Sequence, residues 1–448
     1  MLISGQKKLN LAAKLIQSQL LAVAFFIIVL HYSTAVALLK VGVNEGNAEP
    51  MPIAIDSFDG QTWEEKDIGR EIHDVIVNDL QGSGLFRAID RAAFLERPSM
   101  SQRPNLSNWR KINATVLVVG SVSITGDYAK VQFKVWDPYA EKQIEGIEYK
   151  FGRSMWRKYA HRIADVVYNK LTGESGYFDT KILFVSESGP AYKKVKKLSI
   201  MDQDGANYRV LTDGKSIVIT PRFDSKSRHA IYVGYYGKRT HIYMLNLATG
   251  VQRLVGHLPG IAFAPRFSPD DSHVIFSIAM NGSTSIYEMN LYTGYVRRLT
   301  GDIGTISTSP CYSPDGKHIT FSSDMNGKPQ IYVMNRDGSN VMKISQGAGS
   351  YNTPVWSPRG DFIAFTKKEE GTFYIGVMRM DGSGERLLTT SWMDEGPTWS
   401  PNGRVIMFTR QKPNGASNLY AIDLTGYNER LMSTPMYASD PSWSSLLH

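Results

Sequence analysis

The chain has 448 residues, 42% hydrophobic and 21% charged, with 39 glycines and 20 prolines; it is too long for one ordinary domain and too rich in turn-formers for long helices. A single cysteine, Cys311, excludes an internal disulfide and cannot build a metal site alone. The net charge of +8 is mild for this length, and the one dense basic run, "KKVKK" at 193–197, reads as a solvated hairpin loop rather than a nucleic-acid site.

In chain order, Lys7, Lys8 and Lys14 precede an unbroken apolar run from Leu20 to Leu30, and the small residues Ala35 and Ala37 follow. Such a run spans about 16 Å as a helix, half a bilayer core. The pattern predicts a secretory signal peptide over 1–37, cleaved after Ala37, and a mature protein outside the cytoplasm with no membrane span. Losing those three lysines lowers the charge to +5. Residues 38–50 have no periodicity and read as a mobile N-terminal arm.

Residues 51–173 predict a small α/β domain. "PIAIDSF" reads as a strand, and 67–80 as a helix with Ile68, Ile72, Val75, Ile76 and Leu80 on one face. Strand-like "TVLVVGSVSI", "AKVQFKVW" and "QIEGIEYKF" follow. Ser154 is the expected cap of a second helix carrying Trp156, Tyr159, Ile163, Val167 and Leu171, stopped by Gly173. Residues 174–180 are the expected linker.

From 181 to 448 the text repeats. A proline recurs at 221, 265, 310, 354, 397 and 441, with an aromatic two residues on: Phe223, Phe267, Tyr312, Trp356, Trp399 and Trp443. A turn glycine keeps the same register at 205, 250, 294, 338, 382 and 426. Between these markers the clearest copy, "TPVWSPRGDFIAFTK", gives a strand, a Pro/Gly turn and a second strand, and two more strands follow. Four antiparallel strands every 44 or so residues describe a propeller blade. The C-terminal "DPSWSS" supplies a first strand without a second, whereas "KILFVSES" supplies a second-strand aromatic, Phe184, without a first. Joined, they complete a sixth blade. The expected fold is therefore a small α/β domain followed by an all-β six-bladed β-propeller, closed by the N- and C-terminal strands of the array.

Chemistry is sparse in this text. There is no G-x-S-x-G and no H-E-x-x-H, and the nine histidines are scattered. "MDQDGAN" at 201–207 starts like a calcium loop but lacks an oxygen ligand at its fifth position (Ala206) and a glutamate at its twelfth (Asp213), so it reads as a turn. "GAGSYN" at 347–352 is a poor phosphate loop. The register of the aromatics Phe223 to Trp443 favours packing between blades over a sugar-stacking platform. No enzyme and no cofactor are expected. The longer, more varied loops, such as "GHLPGIAFA" and "SWMDEG", share one face, and a partner is expected there.

A leader, a small α/β domain and six repeats of the P-x-[FYW]-SPDG type, with "PRFSPD", "SPCYSPDGKHITFSSD", "TPVWSPRGDFIAFTK" and the closing "DPSWS", resemble the TolB family, periplasmic proteins of the Tol-Pal system, along essentially the whole mature chain. The resemblance implies a non-enzymatic adaptor that supports outer-membrane constriction at division and envelope integrity. It implies two partners: the lipoprotein Pal at the canal mouth and TolA at the N-terminal arm. Translocation peptides of some colicins would share the Pal site. By position, the arm residues are Leu38, Leu39, Lys40, Val41, Gly42 and Val43, and the canal-mouth residues Ala264, Thr308, Ser309, Asn352, Thr353 and Glu395. The SPDG turn is absent from "PRFDSKSRH" at 221–229 and at Ser444-Ser445, away from that mouth. The alternative is a glycan-binding or hydrolase-associated propeller acting with another chain.

Overall fold

The computed structural model describes residues 49–190, 193–236, 239–301 and 304–447. The leader over 1–37 and the arm residues Leu38 to Val43 lie outside the described residues.

Five strands build the N-terminal sheet: β1 (Met51–Ile55), β2 (Phe86–Ala88), β3 (Val116–Thr125), β4 (Tyr128–Asp137) and β5 (Lys142–Gly152). Their order is β2-β1-β3-β4-β5, with β1 parallel to both neighbours and the other pairs antiparallel. Alternation along β4 turns Ala129, Val131, Phe133 and Val135 into a core shared with helices α1 (Trp63–Gly82) and α3 (Trp156–Thr172); a short α2 (Leu106–Lys111) lies between them in sequence. Helix α1 begins earlier than its apolar stripe suggests. Thr62 and Glu65 form a capping box that satisfies amides of the first turn.

Ser154 does not cap α3. It falls within a 3₁₀ turn, Arg153–Met155, that already points its backbone into the helix, and the residue at the cap is Met155, with no side-chain bond. Gly173 ends α3 in the left-handed conformation, φ 75°.

The ring contains six four-stranded antiparallel sheets. In the closing blade, β6 (Lys181–Ser188), β7 (Val195–Asp202) and β8 (Arg209–Val210) take Tyr437–Trp443 as their innermost strand, with Leu183 opposite Ser442. The basic run is not a loop: Val195 to Lys197 open β7, and Lys194 and Lys196 reach Glu187 at 2.8 and 2.9 Å, because a buried carboxylate on β6 needs cationic partners.

Each blade buries the aromatic of its second strand. Phe184, Tyr232, Phe276, Phe321, Phe365 and Phe408 are 0–2% exposed. In four blades this ring stacks on a tyrosine directly across the ladder, Tyr243, Tyr287, Tyr332 or Tyr420, at 5.7–6.5 Å.

One core runs from the small domain into the ring, joining Ile163, Val167 and Leu171 of α3 to Phe184, Met407, Leu419 and Trp443. Around it the contacts are polar. Arg404 and Arg359 pair with Glu174, Asn428 bonds the Gly82 carbonyl, and the Lys158 ammonium donates to the Leu447 carbonyl at 2.8 Å. The short turns of the closing blade and of the two blades before it carry this attachment, which leaves the loop-rich face of the ring uncovered.

Candidate functional site

Proline has no amide hydrogen to donate, so within a sheet it belongs on an edge or at a bulge. Here it occupies both. The six marked strands, Ile217–Phe223, Ile261–Phe267, Ser307–Tyr312, Ser350–Trp356, Asp394–Trp399 and Tyr437–Trp443, are innermost in their blades, and each pairs on one side only. Their free edges line the central canal. Every one shifts register at its proline, leaving that residue and the one before it out of the ladder.

The residue before each proline has a positive φ: Thr220 49°, Ala264 52°, Ser309 54°, Thr353 46°, Gly396 64° and Asp440 53°. Only one is glycine. Left-handed backbone costs an L-residue about 1–2 kcal/mol, so the ring holds five such residues under tension around one level of the canal.

This geometry moves the candidate residues. Ala264, Ser309 and Thr353 occupy the bulges, and Thr308, Asn352 and Glu395 sit one place earlier in the same strands. They were expected in the loops; they lie midway along innermost strands, inside the canal, because the inter-blade connection enters several residues upstream. All six are half-buried. The Thr353 hydroxyl is 2.8 Å from that of Thr366 on the neighbouring strand, whereas among the described residues the Ser309 hydroxyl has only that of Thr308, at 3.5 Å.

Glu395 carries the one charge among them. Burial pushes its carboxyl up, Asp440 adds repulsion, and Lys368 opposes both.

The loops contribute what the repeat markers did not reveal. Where the chain enters the innermost strands it exposes Ile217, Ile261, Ile306, Trp392 and Tyr437, each 48–62% accessible. Together they form an apolar collar on the loop-rich mouth. Four of the five stand four residues before a blade proline, a spacing that would have marked them in the sequence.

The aromatics two residues after the prolines are engaged elsewhere. The indole N–H of Trp399 donates to the Val355 carbonyl of the preceding blade at 3.0 Å, and that of Trp443 to the Thr180 hydroxyl at 2.9 Å. These two indoles hold neighbouring parts together and, like the buried Tyr312 and Trp356, present little open ring face.

Among the described residues, one cluster has the donor types of a metal site: Asp79, His161 and Asp204, at the junction of the small domain and the closing blade. Its anions already face cations. His161 Nδ1 lies 2.6 Å from Asp79 Oδ2, and the Arg157 guanidinium pairs with Asp204. In the "MDQDGAN" turn, Asp202 is likewise held by the Lys181 ammonium at 2.5 Å. These carboxylates fasten the two parts of the molecule. Among the described residues, no helix is long and apolar enough to cross a membrane.

Comparison with known proteins matches the family model described as the TolB beta propeller domain to residues 168–447, and that of the TolB amino-terminal domain to 39–144. Curated proteins named Tol-Pal system protein TolB, from Rickettsia bellii strains OSU 85-389 and RML369-C, are each 48% identical over 244 residues. That match covers 54% of this chain and 55% of each relative, so the chain spans about half the length of these relatives. The crystal structure of TolB from Acinetobacter baumannii superposes with a TM-score of 0.79 at 26% identity, covering 89% of this chain and 97% of that one.

Proposed function

Because the chain belongs to the TolB family, we propose that it is a Tol-Pal system component, a non-enzymatic adaptor of the periplasm. In this reading Pal docks over the loop-rich mouth, its contacts reaching Thr308, Asn352 and Glu395 inside the canal. TolA engages the arm Leu38–Val43, and the two contacts together support outer-membrane constriction and envelope integrity. Colicin translocation peptides would compete for the mouth.

The observation that carries the docking face is the collar. Five large apolar side chains exposed around one opening, on the face left free by the small domain, favour a folded protein partner. The opposite face offers short turns such as Asp337-Gly338, whose carboxylate is occupied by the Ser339 amide at 2.9 Å.

Calorimetric titration with purified Pal tests this. Ile261→Lys with Tyr437→Lys places two charges in the collar at exposed positions and should weaken binding by about tenfold or more, about 1.4 kcal/mol, with little change in melting temperature. Thr308→Arg should do the same by narrowing the canal. Asp337→Lys on the short-turn face should leave affinity intact. Loss in the Asp337 variant with retention in the collar variant would place the partner on the wrong side of this reading.

A further inference from the structure

The canal has a second mouth, on the short-turn face, and its lining differs in kind from the collar. The residues just after the six prolines meet there: Arg222, Arg266, Cys311, Val355, Thr398 and Ser442. With the aromatics that follow them they line an open cavity of about 370 Å³, within the range of small-ligand sites.

Two arginines from neighbouring innermost strands share this space without a carboxylate between them. The Arg222 guanidinium donates to the carbonyl oxygens of Pro221 at 2.7 Å and Pro441 at 3.3 Å, both neutral acceptors. Arg266 makes no side-chain hydrogen bond or ion pair among the described residues. The cavity's own carboxylate, Asp224, accepts from the Arg228 amide at 2.7 Å and faces His229 Nδ1 at 2.9 Å, so it is already engaged. Asp440 acts on Arg222 from the bulge level, across the proline layer, but Arg222 still lies below its ordinary value: burial lowers it first, and the like charge of Arg266 adds to that.

Confining two cations side by side is unfavourable unless an anion joins them. A guanidinium offers paired N–H groups that fit the two oxygens of a carboxylate or phosphate. The half-buried rings of Phe223 and Phe267 wall the cavity and set apolar surface beside such a contact. The proline layer separates it from the acidic level of Glu395 and Asp440, so the canal is cationic toward one mouth and anionic toward the other. We propose that the short-turn mouth is a binding site for a small oxyanion-bearing ligand, a carboxylate or phosphate, gripped between Arg222 and Arg266.

The test is titration of the full mature protein with inorganic phosphate and, separately, with succinate, at ionic strength matched with chloride, read by calorimetry and by melting temperature. A saturable response to phosphate alone assigns a phosphate group, one to succinate alone a carboxylate, and responses to both an unselective oxyanion site; each supports the proposal. Arg266→Gln should weaken that response by about tenfold or more, while Arg266→Lys retains part of it. Arg266 has no side-chain partner among the described residues, so the ligand-free Gln variant should melt no lower than wild type, which separates lost binding from lost folding. No response beyond chloride, or an unchanged response in Arg266→Gln, would overturn the assignment.

Discussion

The junction between the small domain and the ring should make stability depend on pH through one histidine. His161 of α3 is 3% exposed, with Asp79 of α1 on one ring nitrogen and Asp204 of the closing blade 3.8 Å from the other. Burial alone would drive its pKa down. The Asp79 charge and hydrogen bond, with Asp204 behind, outweigh that and push it up to about 9, against the nearby Arg157. Burial also raises Asp79, against the pull of His161, while Gln203 donates to the other Asp79 oxygen at 2.8 Å and so favours the charged pair. A histidine raised on folding binds its proton more tightly in the native state, so its contribution is complete below pH 6.5 and disappears as pH rises through about 9. At about 1.4 kcal/mol per pH unit between those values, the loss is about 3 kcal/mol. Asp79→Asn combined with His161→Gln keeps a neutral hydrogen bond while removing both charges. Urea unfolding followed by tryptophan fluorescence across that pH range should show wild type losing about 3 kcal/mol relative to the double variant. Asp165, raised by burial to about 7 against the pull of two backbone amides, titrates in both proteins, and only the smaller push it takes from the Asp79 charge differs between them. Parallel stability curves for the two proteins would refute the latch.

Other outcomes follow from the ring. Deleting 440–448 removes the proline-bearing part of the strand that pairs with β6 and the buried Trp443, whose truncation alone typically costs about 3–5 kcal/mol, so melting temperature should collapse or the protein should aggregate; unchanged melting would mean the ring closes otherwise. Ser309→Gly relieves left-handed backbone at a residue whose hydroxyl has only a weak neighbour, and should raise stability by about 0.5–1 kcal/mol in urea titration. A loss there would show that the bulge is not strained.

The proline-aromatic marker was legible because each copy performs the same task in the same place, an innermost edge strand that needs no amide at one position. That regularity reached as far as closure, since Phe184 and Trp443 each lacked a partner in the text. The backbone at the bulge was not legible. Positive φ is usually announced by glycine, and here the announcing residue is present only at Gly396. Hence residues read as loop turned out to lie in strands. The charge layer of Arg222 and Arg266 was equally hidden, because adjacency around the axis joins positions a whole blade apart. Asp79 lies 82 positions from His161, and no local pattern links a helix, a second helix and the turn that carries Asp204.

The pairing of Tyr437–Trp443 with β6 also sets an order of events. Until that strand arrives, β6 presents a row of unsatisfied amides and carbonyls on an apolar sheet, next to the surface on which α3 rests. A chain with all other blades formed would therefore still be sticky. Its closing contact spans nearly the whole array, the kind of pairing whose entropy makes it slow. Folding of this molecule should be governed by the lifetime of that open edge, and anything able to shield it in the interval would raise the yield of native rings.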